Sequence, residues 1–254
     1  MLRRLTNLFG NRGAHNAPPP LLGTLYAVAD IHGHAAKLQI LLQRIAADAV
    51  AQPGPITLVC LGDYLNRGPA SAQVLQTLRH QLPAAWQTVF LRGNHEQKLL
   101  EFLAHPHQHS EWLGWGGTET CLSYGVKPYG ATGLRPAAAV AAELQLALEE
   151  SGDLAWLQAT RLHYQAAPYT FVHAGVRPGL ALAEQLPEDL LYIREDWLNR
   201  PHGLPGVVVF GHTIFPQPLQ TPDRLGLDTG AYQNGPLTAA RLTATQPPTF
   251  LQTT

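Results

Sequence analysis

Short, wholly apolar runs alternate along this chain with longer stretches in which apolar residues recur every three or four positions, and Gly/Pro clusters separate the two kinds. The run Thr24–Ala29 reads as a strand buried on both faces. His34–Asp48 follows with Leu38, Leu41, Leu42 and Ile45 on one helical face, and Gln52-Pro53-Gly54-Pro55 stops it. Ile56–Leu61 is a second strand, leading into a helix that begins near Pro69, a residue suited to a first helical turn. Thr88–Leu91 is a third, leading into a helix over Asn94–Leu103. Three strand–helix units in succession predict a parallel sheet with crossover helices.

The pattern then changes. Residues 105–135 are rich in Gly, His and Trp and read as loops with short helices, while Ala137–Glu150, opened by Pro136, is a strong helix former. Later apolar runs at Tyr169–Val172, Val207–Phe210, Leu225–Leu227 and Leu237–Leu242 predict a second set of strands. Residues 1–20 end in Ala17-Pro18-Pro19-Pro20 and read as a poorly ordered leader; residues 243–254, with Pro247-Pro248, read as a polar tail that frays. No repeat and no break in composition divides 21–242, which is expected to be one α/β domain.

Composition narrows the class. Seventeen basic against eighteen acidic residues leave a net charge of −1, without the basic excess that generic nucleic-acid binding needs. The two cysteines, Cys60 and Cys121, cannot form a disulfide framework and read as buried thiols of a reducing compartment. The N-terminal residues lack the apolar core of a signal peptide, and no apolar run approaches the ~20 residues that span a bilayer. A cytoplasmic protein without membrane partners is expected.

The chemistry collects at strand ends. The first strand runs into Asp30-Ile31-His32-Gly33, the second into Gly62-Asp63-Tyr64-Leu65-Asn66-Arg67-Gly68, and the third into Arg92-Gly93-Asn94-His95-Glu96. Ligands of open α/β sheets bind at the carboxyl ends of strands, and consecutive units of nearly equal length make Asp30, Asp63 and Asn94 neighbours at one edge. Each piece alone has a plainer reading as a capping or turn residue. Two further strand ends, Val172-His173-Ala174-Gly175 and Phe210-Gly211-His212-Thr213, make coincidence a poor account. Carboxylate, imidazole and carboxamide donors without thiolate suit Mn, Fe or Zn. Two such ions ~3.5–4 Å apart are suited to displacement at phosphorus.

These five segments, in this order over about residues 25–240, resemble the signature of the calcineurin-like metallophosphoesterases, in particular the bacterial and phage relatives of the serine/threonine phosphatases and the diadenosine tetraphosphatases. The resemblance implies two packed mixed β-sheets flanked by helices. It implies one metal held by Asp30, His32 and Asp63, and a second held by the bridging Asp63 with Asn94, His173 and His212. His95 would be the general acid, Arg67 and Arg194 the phosphate clamps, and Asp228 of Leu227-Asp228-Thr229-Gly230-Ala231 a supporting residue. Asn66 departs from the pattern: relatives carry an aspartate there, which charges the catalytic histidine. An Asn carbonyl accepting from His95 would still orient the ring but would bring no charge.

The implied function is hydrolysis of phosphomonoesters with two divalent metals, manganese foremost, on phosphoserine/phosphothreonine protein. Alternatives are a nucleotide polyphosphate such as diadenosine tetraphosphate and, in another class, a pseudo-phosphatase that binds phosphorylated ligands without efficient turnover. His105, His107 and His109 read as a solvated loop. Trp112 and Trp115 are expected to pack in the core or a lid, with nucleobase stacking as the alternative, and Arg177 is a minor candidate for the phosphate.

Overall fold

A computed structural model describes residues 17–131 and 133–253. Two five-stranded mixed sheets pack face to face, with helices on their outer surfaces. The first has the order β12-β11-β1-β2-β3, with β1 Thr24–Val28, β2 Ile56–Cys60 and β3 Gln87–Phe90 parallel, β11 Thr238–Leu242 antiparallel to β1, and β12 Thr249–Gln252 antiparallel to β11. The second is β6-β7-β8-β10-β9, where β7 Tyr169–Val172, β8 Val207–Phe210 and β10 Arg224–Gly226 run parallel between the antiparallel edges β6 His163–Ala166 and β9 Leu219–Gln220. A two-residue hairpin, β4 Tyr129–Gly130 and β5 Gly133–Leu134, stands apart.

Strand alternation explains the layers. Leu25, Ala27 and Val59 of the first sheet meet Phe171, Val209 and Leu225 of the second in one buried cluster. Their neighbours Tyr26, Val28, Leu58 and Cys60 face outward onto helices α1 Ala35–Ala49, α2 Ser71–His80 and α3 Asn94–Ala104, through Leu38, Leu41, Ile45, Val74, Leu99 and Phe102. On the far side, Val172, Val208 and Phe210 pack on Leu190 of α7 Pro187–Tyr192 and Trp197 of α8 Glu195–Leu198. Both faces of the central strands are covered, so their sequences read as unbroken apolar runs rather than alternation. Between the sheets in sequence lie α4 Gly117–Ser123, α5 Ala137–Glu150 and α6 Asp153–Gln158. Among the described residues no helix is long and apolar enough to cross a membrane.

Both expected chain ends need correction within the described residues. The tail does not fray: Thr249–Gln252 adds β12 to β11, with Phe250 opposite Ala240. Phe250 packs on the inter-sheet layer, Leu251 on the helix side, and Thr253 exchanges hydrogen bonds with Leu237. Residues 1–16 of the expected leader lie outside the described residues, but Pro19 and Pro20 are tied to the β6–β7 turn: Ala167 N–H donates to Pro19 and Leu21 N–H to Ala167.

Candidate active site

The carboxyl ends of β1, β2, β3, β7, β8 and β10 open into one recess of about 300 Å³, whose walls include Asp30, His32, Asp63, Asn94, His212 and Asp228. Arg67, His95 and Arg194 line it as well, and His173 lies buried behind it. The sequence-predicted residues are therefore brought together. Their backbone is unusual: His32, Asp63, Asn66, Arg67 and His212 are non-glycine residues with φ between 47° and 70°. Asn, Asp and His tolerate this left-handed region best, so Arg67 is the costly one, and such strain persists only where surroundings over-determine it. The surroundings here are Gly116 and Glu96. Arg67 N–H donates to Gly116 O, and a Cβ at Gly116 would stand 2.3 Å from the Arg67 nitrogen. The buried Glu96 carboxylate accepts from the backbone N–H groups of Asp63, Tyr64, Leu65 and Gly93 at 2.8–3.3 Å, binding the second loop to the start of α3. Sequence reasoning gave Glu96 no role beyond a helix first turn.

The imidazoles present lone pairs to common points. His32 Nδ1–H donates to Leu65 O and His173 Nδ1–H to Leu61 O, which leaves each Nε2 unprotonated and 3.5 Å from an Asp63 oxygen. His173 Nε2 also lies 2.9 Å from Asn94 Oδ1, two acceptors face to face. Burial holds His32 near 3, His212 near 2, and His173 and His95 below the usual imidazole range. Burial would raise Asp63, but His173, His95, His32 and His212 outweigh it and keep the carboxyl ionised. Burial, then Asp228 and Asp63, pushes Asp30 well up, and burial raises Asp228 to about 6. Buried carboxylates crowded together and acceptors facing acceptors are unfavourable unless cations lie between them, so the residues fit divalent metals. The ligand atoms of His32, Asp63 and His95 lie within 4.8 Å of one another, as do those of Asp63, His173 and His212. Both Asp30 oxygens meanwhile accept from His212 N–H at 3.1 Å, tying the two sheets together.

Residues 23–216 match the calcineurin-like phosphoesterase family. The chain belongs to that family. It is 31% identical over 223 residues to serine/threonine-protein phosphatase 1 of Salmonella typhimurium, covering 86% of this chain and 91% of that protein. It is 24% identical over 241 residues to bis(5'-nucleosyl)-tetraphosphatase PrpE (asymmetrical) of Anoxybacillus flavithermus, covering 84% and 88%. A crystal structure provisionally named a diadenosine tetraphosphatase superposes with a TM-score of 0.61 at 21% identity, over 92% of this chain and 95% of that one.

Within this phosphoesterase the departure at Asn66 sets a neutral carboxamide against His95. The Asn66 carboxamide spans the Thr120 hydroxyl and His95 Nδ1, 2.8 Å from each. Thr120 and Ser71 also accept from Asn66 N–H, which fixes the side chain by its own backbone. Arg67 Nη2, which can only donate, lies 3.2 Å from the other ring nitrogen, Nε2, at the edge of the recess. The Arg67 guanidinium there is a seat for an anionic oxygen. Arg194 donates to His212 O and lines the recess. The buried Thr213 hydroxyl, which sequence reasoning passed over, has no hydrogen-bond partner there. Arg177 turns away to a two-pronged contact with Asp189. His109 sits between Glu101 and Glu111, outside the recess. Cys60 and Cys121 are buried and unpaired, with thiols pushed up to about 12 by burial.

Proposed function

We propose that this phosphoesterase hydrolyses phosphoanhydrides of the nucleotide polyphosphate type, such as diadenosine tetraphosphate, with two divalent metals. One observation carries the choice of substrate: the side chain facing His95 Nδ1 is a neutral carboxamide and not a carboxylate. A carboxamide brings no negative charge to stabilise an imidazolium, so His95 can hydrogen-bond a leaving oxygen more readily than hand it a whole proton. A serine or threonine alkoxide needs that proton; a phosphate leaving from an anhydride is stable as an anion and does not.

Asp30, His32 and Asp63 would hold one cation, and Asp63, Asn94, His173 and His212 the other; this donor set suits manganese, with iron or zinc as alternatives. Bound there, the metals would neutralise phosphoryl oxygens and acidify water. The chain's own groups do the rest. Arg67 and Arg194 hold phosphoryl oxygens through planar guanidinium groups, Thr213 adds a hydroxyl, and His95 meets the leaving oxygen. Asp228, which accepts from Gly230 N–H, supports the wall beside Asp30. The two buried, unpaired thiols fit a reducing, cytoplasmic setting.

The Salmonella relative, matched over most of both chains, favours a second reading as a phosphoserine/phosphothreonine protein phosphatase. Manganese-loaded protein given diadenosine tetraphosphate and a phosphothreonine peptide separates the two, with products followed by chromatography and His95→Ala as control. The expected result is a higher kcat/KM for the dinucleotide. Preference for the peptide would make the protein phosphatase reading the right one. Metal binding without turnover of either would leave a binder of phosphorylated ligands.

A further inference from the structure

Beside the metal recess lies a second one of about 550 Å³, within the roughly 300–1,000 Å³ of ligand sites. The two share Arg67, Asn94, His95 and Tyr232 as a common wall, and beyond it the second is bounded by Trp115 and the backbone of Gly114 and Gly116. The 3₁₀ turn Ser110–Trp115 treats its two tryptophans differently. Trp112 is fully buried and stacked on Phe102 at 5.0 Å, whereas Trp115 is 45% exposed at the mouth of the recess. A Cβ built at Gly114 would meet nothing within 4 Å, so the floor beside Trp115 is open. At the seam, the Arg67 guanidinium carbon lies over Tyr232, 3.9 Å from the ring centre, and outside it Lys98, paired with Glu101 at 2.8 Å, has its Nζ 5.8 Å from the centre of Trp115. Aromatic faces and planar cations around an open slot are the means by which nucleobases are held without base-specific hydrogen bonds.

His95 fixes which part of a substrate enters. It stands at the seam, where the leaving oxygen departs, so the second recess receives whatever that oxygen carries. We infer that Trp115 and Tyr232 form a subsite for the nucleoside of the leaving nucleotide, with the base stacked on Trp115 and the phosphates between base and metal centre held beside Arg67. This rests on the nucleotide polyphosphate reading and adds to it the residues that select for a base.

The test uses full-length, manganese-loaded protein and two anhydrides, diadenosine tetraphosphate and inorganic tripolyphosphate, which lacks a base. Loss of one stacking partner is worth about tenfold. Trp115→Ala is therefore expected to lower the ratio of kcat/KM for the dinucleotide over tripolyphosphate by about that factor, and Trp115→Phe to restore most of it. Calorimetric binding of AMP relative to inorganic phosphate should fall by the same factor. A ratio that Trp115→Ala leaves unchanged would overturn the subsite while the anhydride reading stands. So would a phosphotyrosine peptide whose turnover depends on Trp115 more than the dinucleotide's does. If neither anhydride is cleaved, the anhydride reading fails, and the AMP-to-phosphate comparison alone decides the subsite.

Discussion

The two halves of the recess are built differently. Asp30, His32, Asp63, Asn66, Arg67, Asn94 and His95 come from three consecutive strand–helix units, and four of them have left-handed backbone. Glu96 holds this half together by four buried backbone hydrogen bonds. His173, Arg194, His212 and Asp228 come from loops after β7, α7, β8 and β10, and only His212 is left-handed. They are fastened to the first half across the sheets, by His173 Nδ1–H on Leu61 O and by His212 N–H on Asp30. The first half is thus a strained unit assembled by contacts within three consecutive strand–helix units. The second is clipped onto it once the sheets have packed.

Asp63 is where the halves meet, since His32 and His173 approach its two oxygens at 3.5 Å each. Asp63→Asn should therefore empty both metal positions, whereas His212→Ala should spare the one on the first half. Elemental analysis after manganese loading is the direct measurement. Activity of Asp63→Asn should fall by more than the roughly 100-fold that follows loss of a residue merely supporting a metal ligand. Equal metal loss in the two variants would show that the halves are not separable.

Stability offers the next contrast. Glu96→Ala strands four backbone donors in the buried part of the first half, at about 1–3 kcal/mol each where no water replaces the carboxylate. A loss of at least about 3 kcal/mol is expected, read as a lower urea midpoint with unchanged slope. Glu96→Gln keeps one acceptor oxygen and should lose roughly half as much. A midpoint for Glu96→Ala within experimental scatter of the parent would mean that the loops hold their conformation without it.

Much of this was legible in the sequence because apolar runs ended abruptly in Asp, Asn and His. Those ends place the donors wherever the strands lie in one sheet, and β7 and β8 follow the runs Tyr169–Val172 and Val207–Phe210 residue for residue. The pattern was mute where burial is one-sided or short. His163–Ala166 makes an edge strand with its first residue exposed, and Thr249–Gln252 hides in a polar tail although Phe250 reaches the core. Within the site, what failed to show was what depends on distant partners. The orientation of Asn66 is set by Thr120, the freedom of Arg177 is removed by Asp189, and Tyr232 matters because Arg67 lies over it. Left-handed backbone at His32, Asp63 and Arg67 also left no mark, since glycine, its usual sign, sits beside these residues rather than at them.

The smallest expected effect is the one that bears most on chemistry. Asn66→Asp exchanges a neutral carboxamide facing His95 Nδ1 for a carboxylate, and the Thr120 hydroxyl can still donate to the other oxygen. A hydrogen bond to a charged group is worth about 1.5–3 kcal/mol against about 1 for a neutral one. Developing positive charge on His95 would gain that difference, and only where a proton must leave the ring. Turnover of a phosphothreonine peptide should therefore rise by about tenfold, and that of the dinucleotide by no more than a small factor. A new negative charge so near Asp63 would also strengthen the field on bound cations, but that effect is shared by both substrates. Equal gains would assign the role of position 66 to the metal field, and a selective gain on the peptide would assign it to the leaving group. In the second case, a neutral residue at the base of the strained half is what turns this phosphoesterase toward leaving groups that need no proton.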